Sequence, residues 1–185
     1  MHNQNIEDVK NRINCVVVQS DYSEEPFHAL NTLEWVMKLA PEAGEALQVA
    51  ALGHDIERAF AKTRVHPGDF ETYEEYKQAH AINSAQVLAG IMEEIGVVQE
   101  FVDDVAHLVA HHESGGSARE ELLKNANALS FFHVCLPLYY DRKGPELTSK
   151  RCVWGFKKLP ENLRETVAGF EYMDDDLRDL VHEAL

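Results

Sequence analysis

Apolar side chains recur every three to four residues along most of this chain of 185 residues, which is the period of an α-helix. Ile6, Val9, Ile13 and Val16/Val17 mark a first helix. Phe27, Leu30, Leu33 and Val36/Met37 mark a second, with Pro26 in its first turn, where the missing N–H costs nothing. Pro41 is expected to open a third that runs through Leu47, Ala50 and His54 to about Phe60. An irregular loop, KTRVHPGDFE, follows. Thr72-x-x-Glu75 has the form of a capping box and begins a long helix through Tyr76, His80, Val87 and Ile91 to near Gly96. The next runs from about Val98 to His112 and stops at Gly115-Gly116; Ser117-x-x-Glu120 then caps another that carries Leu122/Leu123, Ala126 and Leu129. A basic loop region after Pro137 and two further helices, after Pro160 and after Tyr172, complete the pattern.

Hardly any segment alternates with period two, and no repeat or low-complexity linker divides the chain. The expectation is an all-α, single-domain helical bundle over residues 1–185, with a core at about 24–135 and a basic loop plus helices over 136–185.

Composition narrows the function. A formal net charge of -15 disfavours nucleic acid and anionic membranes as partners, because both attract dense Lys and Arg. Neither a signal peptide nor a membrane span is recognisable, and Cys15, Cys135 and Cys152 are widely spaced and odd in number. A cytoplasmic protein is expected. The exception to the acidity is DRKGPELTSKRCVWGFKK, where Arg142, Lys143, Lys150, Arg151, Lys157 and Lys158 face only Asp141 and Glu146. Two readings stand: a solvated stretch that balances the acidic surface, or an electropositive lip for a phosphorylated small molecule.

The chemistry lies in the histidines. AALGHDIER places His54 and Asp55 in an otherwise apolar run, and buried polar groups need partners. His28, His80 and the pair His111-His112 sit on or beside the inward faces of other helices, so successive helices each bring imidazole toward one core. Bundles build metal sites in this way. Imidazole with carboxylate suits Fe, Mn, Zn, Co or Ni, so one or two divalent transition-metal ions are the expected cofactor.

The ordered set, His28, the doublet His54-Asp55, His80, and His111 or His112, resembles the HD-domain superfamily of metal-dependent phosphohydrolases over about half the chain. The resemblance implies a helical fold and metal ligation by those residues, with the choice between His111 and His112 open. The last ligand of the family is an Asp in a motif like ADxL; here KNANALSFF offers Asn127, with Asn125 nearby, a donor without negative charge. Arg58 takes the position four after His54 that is often charged in the family. Asp55 would bridge two ions, and Arg58, then Lys77, then Lys62 and Arg64 are the candidates to neutralise a phosphoryl group. Glu57 is expected to be solvated or paired with Arg58, and His133 to be structural.

These implications amount to a phosphohydrolase for a small phosphorylated metabolite or nucleotide, with a small-molecule phosphoester as its partner. Two alternatives share the residues. One is a di-iron oxygenase similar to myo-inositol oxygenase, and the other is a non-catalytic metal- or nucleotide-binding regulatory module.

Overall fold

A computed structural model describes residues 2–185, with side chains from Asn5 onward. Among the described residues the fold is all-helical, without strands. Its α-helices are α1 (His2–Val17), α2 (Glu25–Leu39), α3 (Glu45–Gly53), α4 (Tyr73–Ile95), α5 (Gln99–Ala110), α6 (Ala118–Ser130), α7 (Leu136–Lys158), α8 (Glu161–Ala168) and α9 (Asp175–Ala184). No helix is long and apolar enough to cross a membrane.

Local chemistry explains the cleanest boundaries. Thr72 and Ser117 accept from the backbone N–H of Glu75 and Glu120, whose carboxylates accept in return from the N-cap N–H groups; both capping boxes are complete. Gly96 ends α4 at φ 81°, ψ 34°, a left-handed turn that favours glycine. Ile6, Val9 and Ile13 of α1 are fully buried against a core that also takes Val49, Leu88, Leu108, Leu123 and Leu129.

Three boundaries or faces differ from the sequence expectation. First, α3 opens at Glu45, after a turn at Pro41-Glu42, instead of at Pro41, and it ends at Gly53 instead of continuing to Phe60; His54-Asp55 form a turn before a short 3-10 segment, Ile56–Ala59. Gly53 lies against α4: a Cβ there would meet a Leu88 methyl carbon at 2.7 Å. Second, α2 buries His28, Thr32, Trp35 and Val36 while Phe27 and Leu30 are 66% and 48% exposed, so the stripe through Phe27 and Leu30 is not the inward face. Third, the basic stretch is helix, not loop. α7 bends at Gly144 (φ 75°, ψ 175°), where Pro145 cannot continue the hydrogen-bond ladder, and then resumes to Lys158. A π-helical turn, Phe131–Cys135, links α6 to α7.

α4 packs along α5, α2 along α6, and α3 contacts α2, α5 and α6. That arrangement brings the ends of α3 and α5, the middle of α2, one face of α4 and the last turn of α6 to a common point. α7 closes over it, packed on α9 and on the π turn. Cys15, Cys135 and Cys152 are free thiols.

Candidate metal centre

Four imidazoles and one carboxylate meet at that point. His54 and His112 sit just beyond the C-termini of α3 and α5, where the last carbonyls lack helical partners. Each uses its ring to satisfy one: His54 Nδ1–H donates to Ala51 O at 2.8 Å and His112 Nδ1–H to Val109 O at 2.7 Å. His28 Nδ1–H donates to Ser130 Oγ at 2.9 Å, and that hydroxyl donates in turn to the His28 carbonyl at 3.1 Å. His80 Nδ1–H donates to Glu57 Oε1 at 2.7 Å.

Every Nδ1 is thereby occupied, and every Nε2 points inward, which leaves it as the ring nitrogen placed to ligate a metal. Fixing the tautomer through the outer nitrogen is how proteins orient metal-binding histidines. The inner nitrogens surround Asp55, whose backbone (φ -108°, ψ 14°) lies in the sparsely allowed region common among functional residues. His80, His112 and His54 Nε2 lie 2.7, 3.5 and 3.7 Å from Asp55 Oδ1, and His28 Nε2 lies 3.8 Å from Oδ2. Asn127 Oδ1 is 3.1 Å from His28 Nε2. The donors fall into two triads that share Asp55: His28, His54, Asp55 and Asp55, His80, His112. All five residues are buried.

The donor set fits a cation. His28 and His54 bring Nε2 to Nε2 at 3.2 Å with both Nδ1 protons used elsewhere, so two lone pairs face each other. Burial pushes the two imidazoles down to about 4 and about 3, which denies them a proton near neutral pH. His112 Nε2 has no hydrogen-bond partner although it is fully buried. Its ring is pulled the other way: burial lowers its pKa, but the Asp55 and Glu113 carboxylates, 3.5 and 3.4 Å away, outweigh burial and raise it to about 9. Burial disfavours Asp55 ionisation, yet Arg58 and the surrounding histidines hold its carboxyl well below the usual range.

Each residue expected at the site can now be placed. His28, His54, Asp55, His80, His112 and Asn127 come together. His111 does not: its Nδ1–H donates to His107 O at 2.8 Å, and its ring packs on His107 on the outside of the bundle. There His107, His111 and Glu120 form a separate, more exposed group. Arg58 bridges Asp55 Oδ2 (2.7 Å) and Glu25 Oε1 (2.6 Å). Lys77 pairs with Glu113, which also meets His112 Nε2 at 3.4 Å and Lys158 at 3.6 Å. Lys62 is exposed, and Arg64 pairs with Asp21 at 3.2 Å; neither lines the site. His133 packs between Trp35 and Phe170, with Nδ1 3.2 Å from Asn31 Oδ1.

Glu57 corrects the sequence reading most sharply. It is buried and unpaired with Arg58; besides His80 it accepts from Val65 N–H at 3.0 Å and from Asn83 Nδ2 at 2.9 Å. Glu25, Glu113 and Ser130 also escaped that reading as site residues. Glu25 lies three residues before His28 in α2, one turn away on the same face, and that spacing was a usable signal. Glu113 offered only its adjacency to His112.

The centre forms the floor of a cleft of about 810 Å³. Its lining includes Arg58, Lys77, Lys124, Arg142, Lys143, Lys150, Arg151 and Lys158, eight of the seventeen Lys and Arg residues in the chain. Acidic lining is limited to Asp21, Glu24, Asp55 and Glu113, while Tyr22, Tyr73, Tyr76, Phe131 and Trp154 supply aromatic walls. An acidic protein has thus gathered nearly half of its cations around one opening.

No curated protein and no solved structure matches the chain. One family does: its model, described as "Domain of unknown function (DUF4202)", matches residues 2–181, and the chain belongs to that family.

Proposed function

We propose that the chain is a divalent-metal-dependent phosphohydrolase of the HD type that acts on a small phosphorylated metabolite or nucleotide. The observation that carries this reading is the position of the two Asp55-sharing triads at the floor of a cation-lined cleft. His28, His54 and Asp55, with Asn127 beside them, would hold one ion; Asp55, His80 and His112 would hold a second. Such ions lower the pKa of a bound water toward neutrality and polarise phosphoryl oxygens.

The chain's own residues supply the remaining requirements. Phosphoryl transfer needs positioning and positive charge around the equatorial oxygens more than covalent help. Arg58, held at one side of Asp55 by Glu25, and Lys77, held by Glu113 beside His112, place fixed cations on both flanks of the centre. Glu57 and Ser130 keep His80 and His28 in the ligating tautomer. The aromatic walls would limit water around a bound ligand at the floor of the cleft, which would strengthen charge interactions there.

The deciding experiment is elemental analysis of protein purified without chelator or affinity metal, beside His54→Ala and Asp55→Ala. Phosphate release from a phosphoester panel is then measured after loading with Mn, Fe, Co, Ni or Zn. Retained first-row metal, lost in both variants, together with phosphate release that needs it, is the expected result. Iron with oxygen consumption and no phosphate release would replace the hydrolase by an oxygenase. Stoichiometric metal with neither activity would leave a binding module, and absence of metal under every loading would overturn the centre itself.

A further inference from the structure

In a chain with almost twice as many carboxylates as cations, a basic side chain in a cleft normally finds an acid. Six of the eight cleft cations do: Arg58, Lys77, Lys124, Arg142, Lys150 and Lys158 each have a carboxylate partner. Arg151 has none among the described residues, although it is only partly exposed. It is held by rings instead. Its guanidinium carbon lies 4.3 Å from the Trp154 ring centroid, 4.5 Å from that of Phe131 and 5.8 Å from that of Tyr73. Tyr73 and Trp154 meet edge to face at 5.5 Å, and Lys158 Nζ sits 4.0 Å from the Trp154 centroid.

Rings attract the guanidinium through its faces and leave its N–H edges free, so they orient the fork without consuming its donors. An oriented, acid-free guanidinium at the wall of a cleft is suited to bidentate recognition of phosphate or carboxylate. Two of its supports also bound its distance from the metal centre. Tyr73 precedes His80 by two turns of α4, a rise of roughly 10 Å, and Phe131 follows Asn127 by one turn, roughly 6 Å. The subsite therefore lies beside the reacting position at a separation on the order of 10 Å.

We propose that Arg151, framed by Trp154, Phe131 and Tyr73, is a second anion subsite, and that the cleft takes a phosphorylated small molecule whose far end carries another phosphate or a carboxylate. The second half of this proposal rests on the phosphohydrolase reading; the subsite itself does not.

Trp154 makes the subsite observable without turnover. The other tryptophan, Trp35, is buried against His133 and Phe170, away from the cleft. Metal-stripped protein is titrated with inorganic phosphate and, separately, with succinate, while tryptophan emission is followed; Trp154→Phe assigns the signal. Saturable change in the Trp154 signal is expected, with the dissociation constant raised about tenfold in Arg151→Gln, the size of one good charge-assisted contact, and by less in Arg151→Lys. The ratio of the phosphate and succinate constants tells which anion the subsite prefers. No change on titration, or the same constant in Arg151→Gln, overturns the subsite.

A kinetic arm tests the substrate class. With metal-loaded protein, a hexose monophosphate is compared with the corresponding bisphosphate, and Arg151→Gln is expected to raise KM for the bisphosphate about tenfold more than for the monophosphate. Equal effects on the two refute the two-anion substrate. Phosphate release from no member of the phosphoester panel, with the Trp154 titration intact, refutes the hydrolase reading and leaves the anion subsite standing.

Discussion

Glu57→Gln isolates one link of the centre. The carboxylate has two jobs: Oε2 receives Val65 N–H and Asn83 Nδ2, while Oε1 receives His80 Nδ1–H at 2.7 Å. A glutamine amide has the same shape but one acceptor. The oxygen is best kept toward the two donors, which turns the NH2 group toward His80. Two donors cannot face each other, so His80 must carry its proton on Nε2 and accept at Nδ1. A protonated Nε2 cannot ligate. The variant thus removes one ligand from the Asp55, His80, His112 triad without cutting any side chain short.

Holding His80 in the ligating tautomer through a charged acceptor contributes about 1.5–3 kcal/mol, so affinity for that ion should fall roughly 10–100-fold. The metal-free protein should change far less. Once Nε2 is protonated it can donate to Asp55 Oδ1, 2.7 Å away, and every buried donor still finds an acceptor. Competition against a chelating dye gives the metal affinity, and chemical denaturation after stripping gives the stability. Affinity equal to wild type would refute the tautomer argument, and a large loss of metal-free stability would show that Glu57 acts as a structural pillar instead.

Three other expectations concern the same cluster. His111→Ala should retain the tightly held metal and His112→Ala should lose it on dialysis, because only His112 aims Nε2 at Asp55; elemental analysis of the two side by side decides this. Asn127→Asp adds a negative charge 3.1 Å from His28 Nε2 and should tighten metal binding about tenfold, read by the same dye competition. Metal-free protein should be most stable near pH 6.5. His28 and His54, depressed to about 4 and 3, contribute stability that is present above the ordinary 6.5 and lost as pH falls. His112, raised to about 9, contributes stability that is full below 6.5 and lost as pH rises. Glu25, raised to about 7 mainly by burial, is lost over the rise from 4.5 and offsets one histidine there. Both flanks should fall by about 1.4 kcal/mol per pH unit, one net proton each. Urea denaturation at pH 5, 6.5 and 8.5 checks this, and a monotonic profile would contradict it.

The parts of this fold legible in the sequence are those set by neighbours along the chain. Thr72 with Glu75, Ser117 with Glu120, and Gly96 are local devices, and they end or begin helices where their chemistry says. Distant neighbours decide the rest. α3 stops at Gly53, where Leu88 crosses it, and a helical reading that continues to Phe60 has no access to that contact. Gly144-Pro145 reads as a loop signal, but packing on α9 lets the helix resume beyond the bend. In α2 the inward face carries Glu25 and His28, whose polarity is affordable only because Arg58, Asp55 and Ser130 arrive from elsewhere, so hydrophobicity points to the wrong side.

The candidate site follows the same rule. The ordered histidines could be collected from the sequence because each sits on its own element. Glu57 and Glu113 could not, since their partners, Asn83, His80, Lys77 and Lys158, lie far along the chain.

The gathering of cations at one opening has a kinetic meaning. A chain with net charge -15 repels an anion overall, so under the proposed function encounters would favour the cleft, whose lining holds eight Lys and Arg against four carboxylates. Field lines from its fixed cations converge through low-dielectric walls, which raises the capture rate of an anionic molecule without adding a single contact in the bound state. With a screening length of roughly 8 Å at physiological ionic strength, this guidance reaches little beyond the rim and fades as salt is added. Under the proposed function, capture would thus be selective by charge before any atom of the ligand touches the centre.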